Sequence, residues 1–201
     1  SEEGRVVTNG MSQHSRNERN ANSGLVVALD ADDLAPFERF PGDPLAGIAL
    51  QRELEERAFR LGGHSYAAPA QRLEDFLAAR PSTRLGAIAA SYQPGVHPAD
   101  LAELLPTPIT SALREALPAF ARKLKGYDHP DAVLTGVETR TSSPVRVPRD
   151  EVRESLNVQG LVPAGEGAGY AGGILSAGID GIRAAEALAR QLLASDSNAT
   201  A

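Results

Sequence analysis

Gly160-Leu161-Val162-Pro163-Ala164-Gly165-Glu166-Gly167-Ala168-Gly169-Tyr170-Ala171-Gly172-Gly173-Ile174 passes from a short apolar segment through a run of glycines into a helical pattern. Gly160 to Ala164 reads as a buried strand feeding the turn. Beyond it, Leu175, Ile179, Ile182, Ala185, Ala189 and Leu192 repeat at helical spacing, with Arg190 near the end where a cation suits the helix dipole. Glycines in such a turn admit positive φ and let backbone approach a ligand closely. The helix start that follows offers unpaired N–H groups to an anionic or electron-rich group, a phosphate or the carbonyl edge of a flavin ring. Glu166 would repel a phosphate but suits sugar or ribityl hydroxyls as an acceptor. No Gly-Lys-Ser/Thr follows, so this is not a phosphate loop of the nucleotide triphosphatases. A strand, glycine turn and helix also serves as a purely structural turn that lets helix pack on sheet.

Working upstream, Ala132 to Glu138 and Val145-Arg146-Val147 read as strands. Before them comes a series of helical patterns. Asp43-Pro44 opens one carrying Leu50, Leu54, Ala58 and Leu61, and Gly62-Gly63 ends it. Pro69 opens a second with Leu73, Phe76 and Leu77, closed by Pro81; Pro98 opens a short third with Leu101, Leu104 and Leu105. Thr107-Pro108 begins a fourth with Ile109, Leu113, Leu117, Phe120 and Leu124, and Pro118 predicts a kink or break within it. Arg5 to Thr8 and Leu25 to Leu29 read as strands around a polar loop, Asn9 to Gly24. The polar tail Ser195 to Ala201 reads as a frayed end.

The 201 residues contain no cysteine, which excludes disulfides, zinc–thiolate sites and thiol nucleophiles. A net charge of −6 argues against a nucleic-acid or membrane surface, and no apolar run is long enough to span a bilayer. These features predict a cytoplasmic protein.

Several separated stretches carry a family likeness. Gly165-Glu166-Gly167-Ala168-Gly169-Tyr170-Ala171-Gly172-Gly173-Ile174 and Ser176-Ala177-Gly178-Ile179-Asp180-Gly181 resemble the C-terminal flavin-binding signature of a family of uncharacterised bacterial FAD-dependent dehydrogenases. Thr8-Asn9-Gly10-Met11-Ser12, Asn20-Ala21-Asn22-Ser23, Ala68-Pro69-Ala70-Gln71, Tyr92-Gln93-Pro94-Gly95 and Gly136-Val137-Glu138-Thr139-Arg140-Thr141-Ser142-Ser143-Pro144 are similar to the same family in the same order. The resemblance implies an α+β or α/β architecture. Its parts are a partial Rossmann-like FAD domain, built from the C-terminal strand, glycine turn and helix, and a mainly helical insert with short strands. On that mapping, residues 1–131 are mostly insert and residues 132–201 are the last lobe of the FAD domain. It further implies that Gly165, Glu166 and Gly167 approach the ribityl or pyrophosphate region. The amides around Gly172, Gly173 and Ile174 would face the pyrimidine end of the ring, and Ser142 and Ser143 would lie near ring and substrate.

The family's N-terminal strand, G-x-G-x-x-G turn and helix are absent here, and the first residue is Ser1. The expectation is therefore a C-terminal portion of an FAD-dependent oxidoreductase, incomplete and inactive alone. Its partners would be the missing N-terminal part and a small-molecule substrate that nothing here identifies. A nicotinamide cofactor is compatible with this class, although no second dinucleotide fingerprint is visible. The competing reading is a non-catalytic, mainly helical module that binds a nucleotide or a partner. No catalytic acid or base stands out. His14, Arg16 and Arg19 are loop residues able to meet an anion, or simply solvated. His64, Tyr66, His97 and His129 fit turn or cap positions, and the four histidines lack metal-ligand spacing. Arg140 and Arg146 flank Ser142-Ser143-Pro144 as anion contacts or as the exposed face of an edge. Glu53, Glu55 and Glu56 with Arg52 and Arg57 read as solvated helix surface.

Overall fold

The computed structural model describes the backbone of residues 1–199 and the side chains of residues 1–194. The chain is α+β and divides into two compact units. The first comprises Ser1–Phe37 and Ala49–Thr139, the second Glu38–Ile48 and Arg140–Ala201.

The first unit is built on a three-stranded mixed sheet. β1 (Ala68–Arg72) lies in the centre, with β2 (Val96–Pro98) parallel on one side and β3 (Val133–Thr135) antiparallel on the other. Pro69 therefore stands in a strand and does not open a helix. Its fixed φ suits extended backbone, and its carbonyl accepts from the Gly136 amide at 3.0 Å. The apolar spacing of Leu73, Phe76 and Leu77 survives only as a single turn, α3 (Leu73–Leu77). Pro98 likewise ends β2, and the Leu101–Leu105 stretch is a series of turns.

Helix α2 (Ala46–Leu61) follows the sequence pattern closely, and Leu50, Leu54 and Ala58 are buried on one side of it. Each such aliphatic burial is worth roughly 1.5–3 kcal/mol for a Leu. Its end is dictated by Gly62, where a Cβ would lie 2.1 Å from the Ala67 carbonyl oxygen, and by Gly63 at φ +80°. Helix α4 (Thr107–Ala121) runs unbroken through Pro118, which sits in its last turn. These helices and β1 enclose a core of Val6, Leu50, Leu54, Leu73, Phe76, Leu101, Leu104, Leu117 and Val137.

Three expected strands in the two units form no ladder, and Gly160, the first residue of one of them, is a turn residue at φ +78°. In the Arg5–Thr8 segment, Val6 donates to Glu55 O at 3.0 Å and Thr8 to Val137 O at 2.8 Å, so its amides serve two different elements. Val145–Val147 and Gly160–Ala164 have no partner strand among the described residues, and a strand exists only through its neighbour. Leu25–Leu29 also forms no strand, and Val26 is exposed; the short helix α1 (Ala31–Leu34) follows it, capped by Asp30. Glu55 corrects the reading of the α2 charges as solvated surface: it is 1% exposed and accepts from the Thr139 hydroxyl at 2.6 Å. Glu53 pairs with Arg57 and Glu56 with Arg5, as surface charges do.

In the second unit, α5 (Ile174–Ala199) is the long helix. The backbone is helical to Ala199, and the remainder of the expected frayed tail lies outside the described residues. No helix among the described residues is long and apolar enough to cross a membrane.

Candidate glycine-turn site

The second unit assembles the glycine turn from charge as well as from glycine. Asp180, in the second turn of α5, accepts a two-pronged pair from Arg149, at 2.7 and 2.9 Å. Arg153 adds a third contact at 2.7 Å, and the Gly165 amide a fourth at 2.8 Å. The same Arg149 donates to the Pro163 carbonyl at 2.7 Å and lies 3.7 Å above the Tyr170 ring, with Arg146 also against that ring at 4.3 Å. The arginine fork and the amide hold the Asp180 carboxyl well below the usual carboxylate range, overcoming its partial burial. Arg149 in turn is raised above its ordinary value by the same carboxylate.

The five glycines divide by role. Gly165 has φ +69°, and Gly169 has φ +81° with a Cβ position 2.7 Å from the Val145 carbonyl oxygen, so both are demanded by the fold. Around Gly167 and Gly172 the space is open, and at Gly173 a Cβ would meet only the Ser176 hydroxyl, at 3.4 Å. Ser143 is brought to this turn, donating to the Gly167 carbonyl at 3.1 Å and the Val145 carbonyl at 2.8 Å. Ser142 is exposed.

At the start of α5 the amides of Gly172, Gly173, Ile174, Leu175 and Ser176 have no acceptor among the described residues. Ile174 is 93% exposed. Glu166 is half-buried, and its carboxylate has no hydrogen-bond or ion-pair partner among the described residues. A row of free donors and a free acceptor on one open glycine turn offers hydrogen bonds to a ligand that carries both acceptor oxygens and hydroxyls.

Elsewhere the candidates resolve into structural roles. His64 and Tyr66 pack edge-on against Phe59, at 5.8 and 5.7 Å, and His129 accepts from the Asp131 amide through Nδ1 at 3.1 Å. His97 lies beside Gly63. His14, Arg16 and Arg19 are exposed in the polar loop. Arg146 is exposed and stacks on Tyr170, and its segment forms no strand of which it could be an edge. Among the described residues no cluster of His, Asp and Glu could hold a metal ion. The tether Arg149–Asp180 escaped the sequence reading because its partners are far apart in the chain. A signal for it existed: Asp180 is a charge on the small-residue side of α5, between Ala177 and Ala184.

An uncharacterised protein of Clostridium beijerinckii (strain ATCC 51743 / NCIMB 8052) is 51% identical over 187 residues, 92% of this chain. The unmatched remainder is too short to exclude the glycine turn. The chain spans 34% of that relative's length. A family model described as "FAD-dependent protein, C-terminal domain-like" matches residues 1–141, and the chain belongs to that family.

Proposed function

We propose that this chain is the C-terminal portion of an FAD-dependent oxidoreductase of the dehydrogenase type, in which the glycine turn and the start of α5 hold the flavin. The observation that carries this reading is the set of free amides from Gly172 to Ser176 on the same glycine turn as Glu166, whose carboxylate has no partner among the described residues. Bound FAD would supply the hydride chemistry, as flavins do. The chain's own residues would bind and tune it. The helix-start amides would stabilise negative charge on the ring edge, an effect of about 0.3–1 kcal/mol when exposed and up to about 2 when partly buried. Glu166 would accept from ribityl or ribose hydroxyls, and Gly167 and Gly172 would let backbone approach.

Ser143 belongs to this reading as a positioning residue, because it ties the 143–145 segment to Gly167. Residues 1–131 would be mostly the insert, which meets a small-molecule substrate. The Rossmann-like remainder, with its own dinucleotide fingerprint, would come from the rest of the polypeptide. A cytoplasmic setting and use of a nicotinamide cofactor are further parts of the proposal.

The test is flavin content of the full-length polypeptide carrying this chain, wild type against Glu166→Ala. The expected result is a yellow wild-type protein and a variant that loses flavin on gel filtration. A colourless full-length wild type would favour the non-catalytic module, and undiminished flavin in the variant would remove the role given to Glu166.

A further inference from the structure

Asn9 and Gly10 are consecutive and both exposed, at the point where the first segment leaves the core and enters the polar loop. The Gly10 amide has no acceptor, and the Asn9 carboxamide no hydrogen-bond partner, among the described residues. Gly10 also has no side chain to shield its nitrogen from a neighbouring carbonyl carbon. The other asparagines of the described residues lack this combination. Asn20 donates to the Ala89 carbonyl at 2.7 Å and Asn22 to the Met11 carbonyl at 3.0 Å, while Asn17 and Asn157 precede the bulkier Glu18 and Val158. Only Asn9 joins a free carboxamide to an unhindered, unbonded amide on its C-terminal side.

We propose that Asn9 is a site of self-modification, at which the chain turns asparagine into isoaspartate and aspartate and thereby releases the polar loop. Solvent base takes the Gly10 amide proton, and the nitrogen forms a bond to Asn9 Cγ. The bond from Cγ to the carboxamide nitrogen breaks, and that nitrogen leaves as ammonia with a proton from water. The product is a cyclic succinimide, which water opens. Cleavage between the ring nitrogen and Cγ gives aspartate; cleavage between that nitrogen and the main-chain carbonyl carbon gives isoaspartate. The sum is asparagine plus water giving a carboxylic acid plus ammonia, with no change of oxidation state. Isoaspartate threads the main chain through Cγ and so lengthens the link between two clasps. Thr8, which is buried, donates to the Val137 carbonyl at 2.8 Å on one side of residue 9, and the Met11 carbonyl accepts from Asn22 on the other. The Met11–Asn22 bond is exposed, and it is the clasp that gives way. No hydrogen bond or ion pair ties residues 12–19 to another element among the described residues, so its loss frees the arc that carries Arg16 and Arg19. The new carboxylate also adds to the charge of Glu138, whose Oε2 lies 3.9 Å from the Cβ position on Gly10, and like charges repel. None of this requires a bound flavin.

The test incubates the full-length polypeptide carrying this chain, folded, at neutral and at mildly alkaline pH. The tryptic peptide Val6–Arg16, in which Asn9 is the only asparagine, is then followed by mass spectrometry. The expected result is a mass rise equal to the exchange of NH2 for OH, placed at residue 9 by fragment ions and faster at the higher pH. The product should separate into two chromatographic peaks, one of them a substrate for isoaspartyl methyl transfer, while the peptide carrying Asn157 keeps its mass. Gly10→Ala, whose added Cβ meets nothing closer than 3.9 Å, should fold as wild type and react about tenfold slower. Asn9→Gln, which enlarges the ring that has to close, gives the same comparison where Gly10→Ala folds poorly. Reaction as fast in these variants as in wild type would overturn the proposal, because cyclisation would not be the route. So would a folded polypeptide that keeps Asn9 while the same chain in urea loses it, since the fold would then shield the site. Release of the loop is read by brief trypsin treatment of the native protein. Cleavage after Arg16 and Arg19 should be several-fold faster in aged than in fresh wild type, and unchanged by ageing in Gly10→Ala. Equal cleavage of aged and fresh wild type would overturn the release.

Discussion

Arg149 and Asp180 meet as a two-pronged ion pair in which the arginine side chain is 9% exposed and the carboxylate 13%. They are separated by the whole glycine turn in the chain, so the pair closes that turn onto the second turn of α5. The Gly165 amide on one carboxylate oxygen makes the closure three-way. The turn is thus held by a charge pair, while the space around Gly167 and Gly172 stays open.

Asp180→Asn should destabilise the second unit by about 3 kcal/mol, because it leaves two arginines beside a neutral amide. The sign with pH follows from the lowered carboxyl. Its contribution is fully present above the unfolded value, about pH 3.9, and is lost as pH falls from there through the lower folded value. Urea unfolding at pH 7 and pH 3 should show a large gap between wild type and variant at pH 7 and a smaller one at pH 3. A gap of equal size at both would rule out Asp180 as the titrating tether.

Gln71 is fully buried, donates through Nε2 to the Arg80 carbonyl at 2.7 Å and accepts through Oε1 from the Leu101 amide at 2.9 Å. Gln71→Leu keeps the volume but strands both backbone groups. Each buried group left unsatisfied costs about 1–3 kcal/mol. Denaturant titration of the wild type and variant should show a loss of at least the lower figure, and a neutral result would mean that the β1–α3 region rearranges to satisfy them.

Much of this was legible in the sequence where local pattern and tertiary demand agree. Helix α2 is such a case for its stripe and its Gly62 stop, while its start falls at Ala46, because Pro44 and Leu45 form a turn in which Asp43 accepts from the Leu45 amide. The Pro69 region is the opposite case. A helical apolar spacing is real there, but strand pairing with β2 and β3 took Ala68–Arg72 into the sheet. The glycine turn and the start of α5 were legible as turn and helix because glycine and helix-start chemistry are local. The Arg149–Asp180 tether was not, because charge pairing at long range leaves no periodic trace. The stripe of α5 was seen correctly as an apolar face, and only the structure showed that it is turned away from its own unit.

Gly62→Ala should lower the stability of the first unit more than the ordinary preference of a helix end for glycine. The added Cβ would fall 2.1 Å from the Ala67 carbonyl oxygen, a backbone atom that has no side-chain torsion to relieve it. Overpacking of this kind costs about 1–3 kcal/mol. Thermal unfolding measures it directly, and Gly24→Ala, at a glycine with open space around it and no positive φ, serves as the control. Equal losses in the two would show that the close approach at Gly62 relaxes without cost.

The division of glycines in the turn makes the sharpest separation of folding from binding. Gly169→Ala should damage the fold itself, since its Cβ would press on the Val145 carbonyl and the Arg146 Cα while φ is +81°. Gly167→Ala and Gly172→Ala meet nothing within 4 Å, and neither has positive φ, so their unfolding midpoints should stay within about 0.5–1 kcal/mol of wild type. In the full-length polypeptide the same two substitutions should nevertheless reduce flavin retention, because a methyl group would occupy space that a closely approaching cofactor needs. Flavin absorbance after gel filtration and urea unfolding of the same samples test both halves together. Loss of stability at Gly167 or Gly172 would make them structural residues, and full flavin retention in both variants would move the cofactor away from the turn.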